Sequence, residues 1–170
     1  MNRVIPPILH QQVIDSLSQY LCTASSFLQI TVNNPIVDYG LKGSSAGMAL
    51  LQRWQIKLNP ILLVENKRAF LEHVIPHELA HLLVWHQFGQ VAPHGKEWRW
   101  MMESVLGVSA CRTHNFSIES VRGKTFTYHC LCQLHQLTVR RHNRVQRQQS
   151  QYLCRRCRHP LIIGKAEGLT

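Results

Sequence analysis

Between residues 8 and 28, Val13, Ile14, Leu17, Tyr20 and Leu21 recur at three- and four-residue intervals, the spacing that puts side chains on one helix face. "LQITVNNPIVDY" (residues 28–39) then reads as a strand interrupted at Asn34-Pro35, and "LKGSSAG" (41–47) has turn composition. In "MALLQRWQIKLNPILL" (48–63) the alternation of Trp54, Ile56 and Leu58 predicts one or two strands, as a hairpin if two. The longest helical pattern is "ENKRAFLEHVIPHELAHLLVWHQFG" (65–89). Pro76 lacks an amide donor and crowds the preceding turn, so it should start or kink that helix, and Gly89 should end it. "GKEWRWMMESVLG" (95–107) predicts another helix, with Trp98, Met101, Met102 and Val105 facing the core. From Val108 onward the pattern changes to short strands and loops rich in Arg, His and Gln. A boundary near residue 120 divides a domain of residues 1–119 from a module of residues 120–170.

Charge sharpens that division. The net charge is +10 over 170 residues, but residues 1–119 hold nine Lys/Arg against eight Asp/Glu. Residues 120–170 hold ten Lys/Arg and one acid, Glu167. The excess belongs to the C-terminal module and predicts an anionic partner there, nucleic acid first and acidic protein or lipid behind. Arg140, Arg141, Arg144, Arg147, Arg155 and Arg156 are the candidate phosphate contacts, with Lys124 and Arg158 nearby. Phe126, Tyr128 and Tyr152 could stack bases, although each is better explained as packing of a small core. No apolar run approaches the ~20 residues of a membrane span, so no membrane partner is expected. The N-terminal stretch lacks the apolar segment and cleavage site of a signal peptide, and the expected location is the cytoplasm.

Six cysteines in such a chain read as metal ligands or buried thiols, not disulfides. Cys22 and Cys111 are isolated and expected in the core. The other four form a CxC, Cys130 and Cys132, and a CxxC, Cys154 and Cys157, which together suit a tetrahedral thiolate site. Cys132 with His135 is an alternative knuckle, so His135 stays open as a ligand.

"HELAH" is the second constellation. A helix turns about 100° per residue, so His77 and His81 share a face and could direct two imidazoles at one ion. Glu78, beside that face, could act as general base on a water made acidic by zinc. The flanking residues are apolar nearly all round, so the helix should be buried and its polar side chains need partners. His86 points away from the pair. For the third ligand His94 is preferred, because Gly89 and Pro93 let the chain return before "HGKEW" opens the next helix. Glu97 and Glu103 compete for the role.

"HELAH", the downstream "HGKEW", "LNPILL" before the helix and a terminal cysteine module containing "LTVRRHNR" together resemble the SprT family, Spartan-type proteases included. The resemblance runs from about residue 10 to residue 163. It implies an α+β fold: a zincin-like metalloprotease domain with the HExxH helix, followed by a small zinc ribbon. It implies a catalytic Zn2+ on His77, His81 and His94, Glu78 as catalytic base, and a second, structural Zn2+ in the ribbon. The implied activity is a zinc endopeptidase acting on DNA-associated or DNA-crosslinked proteins. Its CxC knuckle departs from the CxxC of other ribbon-bearing relatives. Two other readings of the residues stand beside this one. One is a zinc- and nucleic-acid-binding regulator with a catalytically silent core, and the other is a zinc hydrolase acting on something other than protein.

Overall fold

The computed structural model describes residues 4–113 and 116–164; Glu167 lies outside them. The chain divides into two units, residues 1–121 and 122–170.

The first unit opens with α1 (Pro7–Leu28), whose fixed proline φ suits a first helical position. Leu9, Val13, Leu17, Leu21 and Ala24 form its buried stripe, and Gln29 ends it in a left-handed conformation (φ 53°) with its N–H on the Ser25 carbonyl. The strand expected over residues 28–39 is shorter than that: only β1 (Ile36–Asp38), beyond the proline, pairs. β2 (Gly47–Leu50) and β3 (Gln55–Leu58) are antiparallel, joined by a tight turn, and β1 runs parallel to β3. The sheet order is β1-β3-β2, so β2 is an edge.

"NPILL" is not a strand. Asn59 accepts the Ile61 and Leu62 amides and donates to the Gly43 and Ser45 carbonyls, and Pro60 opens α2 (Pro60–Glu65). An N-cap followed by proline is a helix start that outweighs the apolar run after it.

A short turn, α3 (Lys67–Ala69), runs into a wider π-type turn at Phe70–Val74 and then α4 (Ile75–Phe88). The wide turn sits where Pro76 leaves a carbonyl without its donor and demands room for its ring. Gly89 (φ 69°) ends α4. α4 packs on β2, β3, α1 and the turn after α5 (Lys96–Trp100), and Leu79, Ala80, Leu82 and Leu83 are fully buried. Trp98, Met101, Met102 and Val105 are buried as expected. Cys22 and Cys111 are not: both are exposed. Cys22 follows Leu21 on α1 and so falls off its buried stripe.

In the second unit β4 (Thr125–His129) and β5 (Leu134–Thr138) form an antiparallel hairpin, and β6 (Ile162–Ile163) adds to the free side of β4. The basic stretch after β5 folds as a helix, α6 (Val139–Gln146), where strands and loops were expected. It is fixed by His142, stacked on Phe126 (centroids 3.6 Å apart, planes 4° apart) with its Nδ1 3.1 Å from the Tyr128 hydroxyl. No described helix is long and apolar enough to cross a membrane.

Candidate metal centres and active site

His77 and His81 lie one turn apart on α4. His94 reaches them from the loop before α5, held in a left-handed conformation (φ 55°) between Pro93 and Gly95. That conformation is uncommon for a residue with a side chain and costs about 1 kcal/mol or more, the kind of strain found where a side chain must be aimed.

The three Nε2 atoms make a triangle: 3.3 Å between His77 and His81, and 3.1 Å from His94 to each. A tetrahedral ion about 2.0–2.1 Å from each nitrogen would set such nitrogens about 3.3–3.4 Å apart. The His77 Nδ1 is 3.3 Å from the Cys111 carbonyl oxygen, which can only accept, so Nδ1 carries the proton and Nε2 presents its lone pair. Burial, reinforced by His77 and His94, pushes His81 down to about 3. His94 is lowered too, by burial and then by the Arg112 charge. These two rings are therefore neutral at neutral pH, as ligands must be. Trp98 walls the trio, its ring 4.7–5.7 Å from the three imidazoles and its indole N–H 3.4 Å from the His77 carbonyl.

Three of the predicted ligands thus converge on one point. Glu97 and Glu103 are not part of the group. The Glu97 carboxylate instead lies near Gly95 and Lys96.

Glu78 is buried, 8% exposed. Burial raises its pKa to about 7, against the opposing pull of a hydrogen bond from the Ala49 backbone. A carboxyl poised near neutrality can both take and return a proton. Sequence reasoning missed its support on β2: Gly47, whose backbone the Glu78 side chain crosses, and Ala49. It also missed the segment at Cys111 and Arg112. Arg112 Nη2 donates to the His94 carbonyl at 3.4 Å. The glycine inside a turn-like stretch was visible, but nothing in the sequence links it to Glu78.

The second group is Cys130, Cys132, Cys154 and Cys157, whose sulfurs lie within 4.8 Å of one another. Cys130 and Cys132 are 3.5 Å apart, and Cys132 and Cys154 are 3.7 Å apart. Four thiolates at Zn–S ≈ 2.3 Å would stand about 3.8 Å apart. His135 is outside this set. Its Nε2 lies 3.4 Å from Cys130 Sγ, where a ring N–H can donate to a thiolate. Burial works against ionisation of Cys130, but the Cys132 amide and His135 outweigh it and bring the thiol down to about 5. Both groups could hold a metal ion.

The candidate phosphate contacts Arg140, Arg141, Arg144, Arg147, Arg155 and Arg156 are all exposed. Arg141 lies over the Tyr152 ring at 5.6 Å. Tyr128 is fully buried and one face of Phe126 is taken by His142, in line with the packing role preferred for these rings over base stacking.

Residues 12–120 match the model of the SprT-like family. The chain is 59% identical to Protein SprT of Pectobacterium carotovorum subsp. carotovorum (strain PC1) over 153 residues, 90% of each chain. It is 50% identical to Protein SprT of Photorhabdus laumondii over 165 residues, 97% of this chain and 85% of that one. Protein SprT of Yersinia pestis is 57% identical over 153 residues, again 90% of each. No solved structure matches the chain. On the family match and on relatives this similar along nearly the whole chain, the protein belongs to the SprT-like family.

Proposed function

We propose that the protein is a zinc-dependent endopeptidase of SprT type that acts on proteins bound or crosslinked to DNA. One observation carries the reading: the Nε2 atoms of His77, His81 and His94 converge, and Glu78, the residue after His77 on α4, is a buried carboxyl. His77, His81 and His94 would hold the catalytic zinc, and three protein ligands leave a fourth position for chemistry. Zinc in such a site lowers the pKa of a water and polarises a carbonyl. Glu78 takes the proton of the attacking water and returns it to the leaving amine, a role its pKa of about 7 suits at neutral pH. Trp98 keeps the far side of the imidazoles dry. The four cysteines would hold a structural zinc.

The DNA part rests on charge. Arg140 and Arg144 stand one turn apart on α6 and Arg147 caps its C-terminus, all exposed, with Arg155 and Arg156 on the CxxC turn. Phosphates are the ligands such a face suits, and binding through it weakens steeply with salt.

The test is cleavage of a DNA-bound protein by the zinc-loaded chain and by Glu78→Gln, with metal content measured in both. Glu78→Gln should lower cleavage by about 10²–10⁴-fold while keeping its metal and its DNA affinity. No cleavage by the wild type, or equal cleavage by both, would leave a metal- and nucleic-acid-binding regulator as the better reading.

A further inference from the structure

The Glu78 carboxyl sits against a stretch of strand that has no side chain. A Cβ added at Gly47 would lie 2.6 Å from Glu78 Cγ, 2.6 Å from Oε1 and 2.9 Å from Cδ. Gly47 lies outside the left-handed region, so its backbone conformation does not demand glycine. What demands it is space.

The strand edge explains why Glu78 goes there. The Asn59 N–H donates to the Ala46 carbonyl, which starts the β2–β3 ladder. Antiparallel pairs alternate, so residues 48 and 50 exchange bonds with β3, and residues 47 and 49 turn their amides to the free edge. The Ala49 backbone bonds the Glu78 carboxylate there. The side chain reaches Ala49 by crossing Gly47.

We infer that Gly47 is a positioning residue for Glu78: its missing side chain is what lets the carboxyl lie along the free edge of β2 and reach the Ala49 backbone. The clash includes Cγ, so rotating the outer bonds of Glu78 does not relieve it. The first side-chain torsion must change, and the carboxyl then leaves Ala49. Gly47 is not among the candidate ligands, and the atoms an added Cβ would meet all belong to Glu78, so its proposed role runs through Glu78. The inference rests on the reading of Glu78 as general base.

The experiment is Gly47→Ala in two backgrounds, the wild type and Glu78→Ala, in the zinc-loaded full chain. Melting temperature, metal content and peptide cleavage are measured. In the Glu78 background Gly47→Ala should lower Tm by roughly 4 °C, and in the Glu78→Ala background by nothing measurable, because the clashing atoms are gone. Metal content should stay at the parental value in all four proteins. In the Glu78 background kcat should fall about 100-fold with KM unchanged, the signature of a displaced base. Equal Tm losses in both backgrounds, or an unchanged kcat, would overturn the inference. If Gly47→Ala fails to fold, rescue of folding by Glu78→Ala supports it and failure in both backgrounds overturns it. A wild type that cleaves nothing would sink the protease reading, and the stability cycle would still decide whether Gly47 makes room for Glu78.

Discussion

In the first unit the three imidazoles stand on ground that is already packed. α4 is surrounded by buried Leu, Ile, Val and Phe, and the core extends through α1, the sheet and the turn after α5. In the second unit the buried residues among those described are Tyr128, Cys130, Leu137 and Cys154, so two of the four are themselves ligand candidates. Leu131, Leu134, Leu153, Ile162 and Ile163 are exposed. A metal bound by the histidines occupies a site that the fold has built. A metal bound by the cysteines would be part of what builds the fold. A metal at the first group would find its frame already packed and one at the second would not, and the surrounding core tells them apart.

The largest effect should come from breaking the cysteine group. Burying Tyr128 and Leu137 contributes about 1.5–3 kcal/mol each, against roughly 1–2 kcal/mol of backbone entropy for every residue ordered. Structural zinc supplies about 10–16 kcal/mol in small modules. Cys154→Ser, or strong chelation, should therefore unfold the second unit completely and leave the first folded. Amide NMR spectra check this: the peaks of residues 122–164 collapse to random-coil positions and those of the first unit stay dispersed. A second unit that remains dispersed without metal would remove the contrast.

His94→Ala should act the other way. It deletes a ligand from a packed frame, so one of two metals per chain is lost on mild chelation. In the metal-free chain unfolding free energy should change by less than about 1 kcal/mol, since His94 is only half-buried in a loop and its left-handed strain is the same for Ala. Metal analysis and a denaturation curve together check it. Loss of the fold in His94→Ala would mean that the first unit also depends on its metal.

How far the sequence showed this differs along the same line. The pairing of His77 with His81 on α4 was legible because helix geometry links positions four apart, and the approach of His94 because Gly89 and Pro93 turn the chain back. The four cysteines were legible by residue type. What supports Glu78 was not. Gly47 and Ala49 meet it through space, from a strand whose sequence reads partly as a turn, and no local pattern encodes a free edge. α6 was hidden for another reason. "VRRHNRVQ" has no apolar stripe, and its anchor is a histidine stacked on Phe126, a tertiary contact that helical periodicity does not register. The Asn59-Pro60 cap, by contrast, was written in the sequence and was masked by the leucines after it.

The most local effect is a pH dependence that only the packed site should show. A carboxyl whose folded pKa of about 7 lies above its ordinary 4.5 holds its proton more tightly folded than unfolded. Its protonated form favours folding. Stability is therefore full below about 4.5, falls as pH rises through the window to about 7, and above that carries the whole penalty of a buried charge. His81 works in the opposite sense: pushed down to about 3, it costs stability as pH falls from 6.5 toward 3. Comparing Glu78→Gln with wild type in the metal-free chain cancels the histidine contribution, because both proteins carry it. The substituted glutamine keeps the shape and still accepts the Ala49 amide but never ionises. The advantage of Glu78→Gln should be smallest below about pH 4, reach about 1 kcal/mol at pH 5 and grow to on the order of 3 kcal/mol by pH 8, at about 1.36 kcal/mol per pKa unit. Urea unfolding at intervals across that range reads it directly. An advantage that is flat with pH would mean Glu78 is not desolvated as its burial requires. The two sites would then differ in their cores and not in how they hold charge.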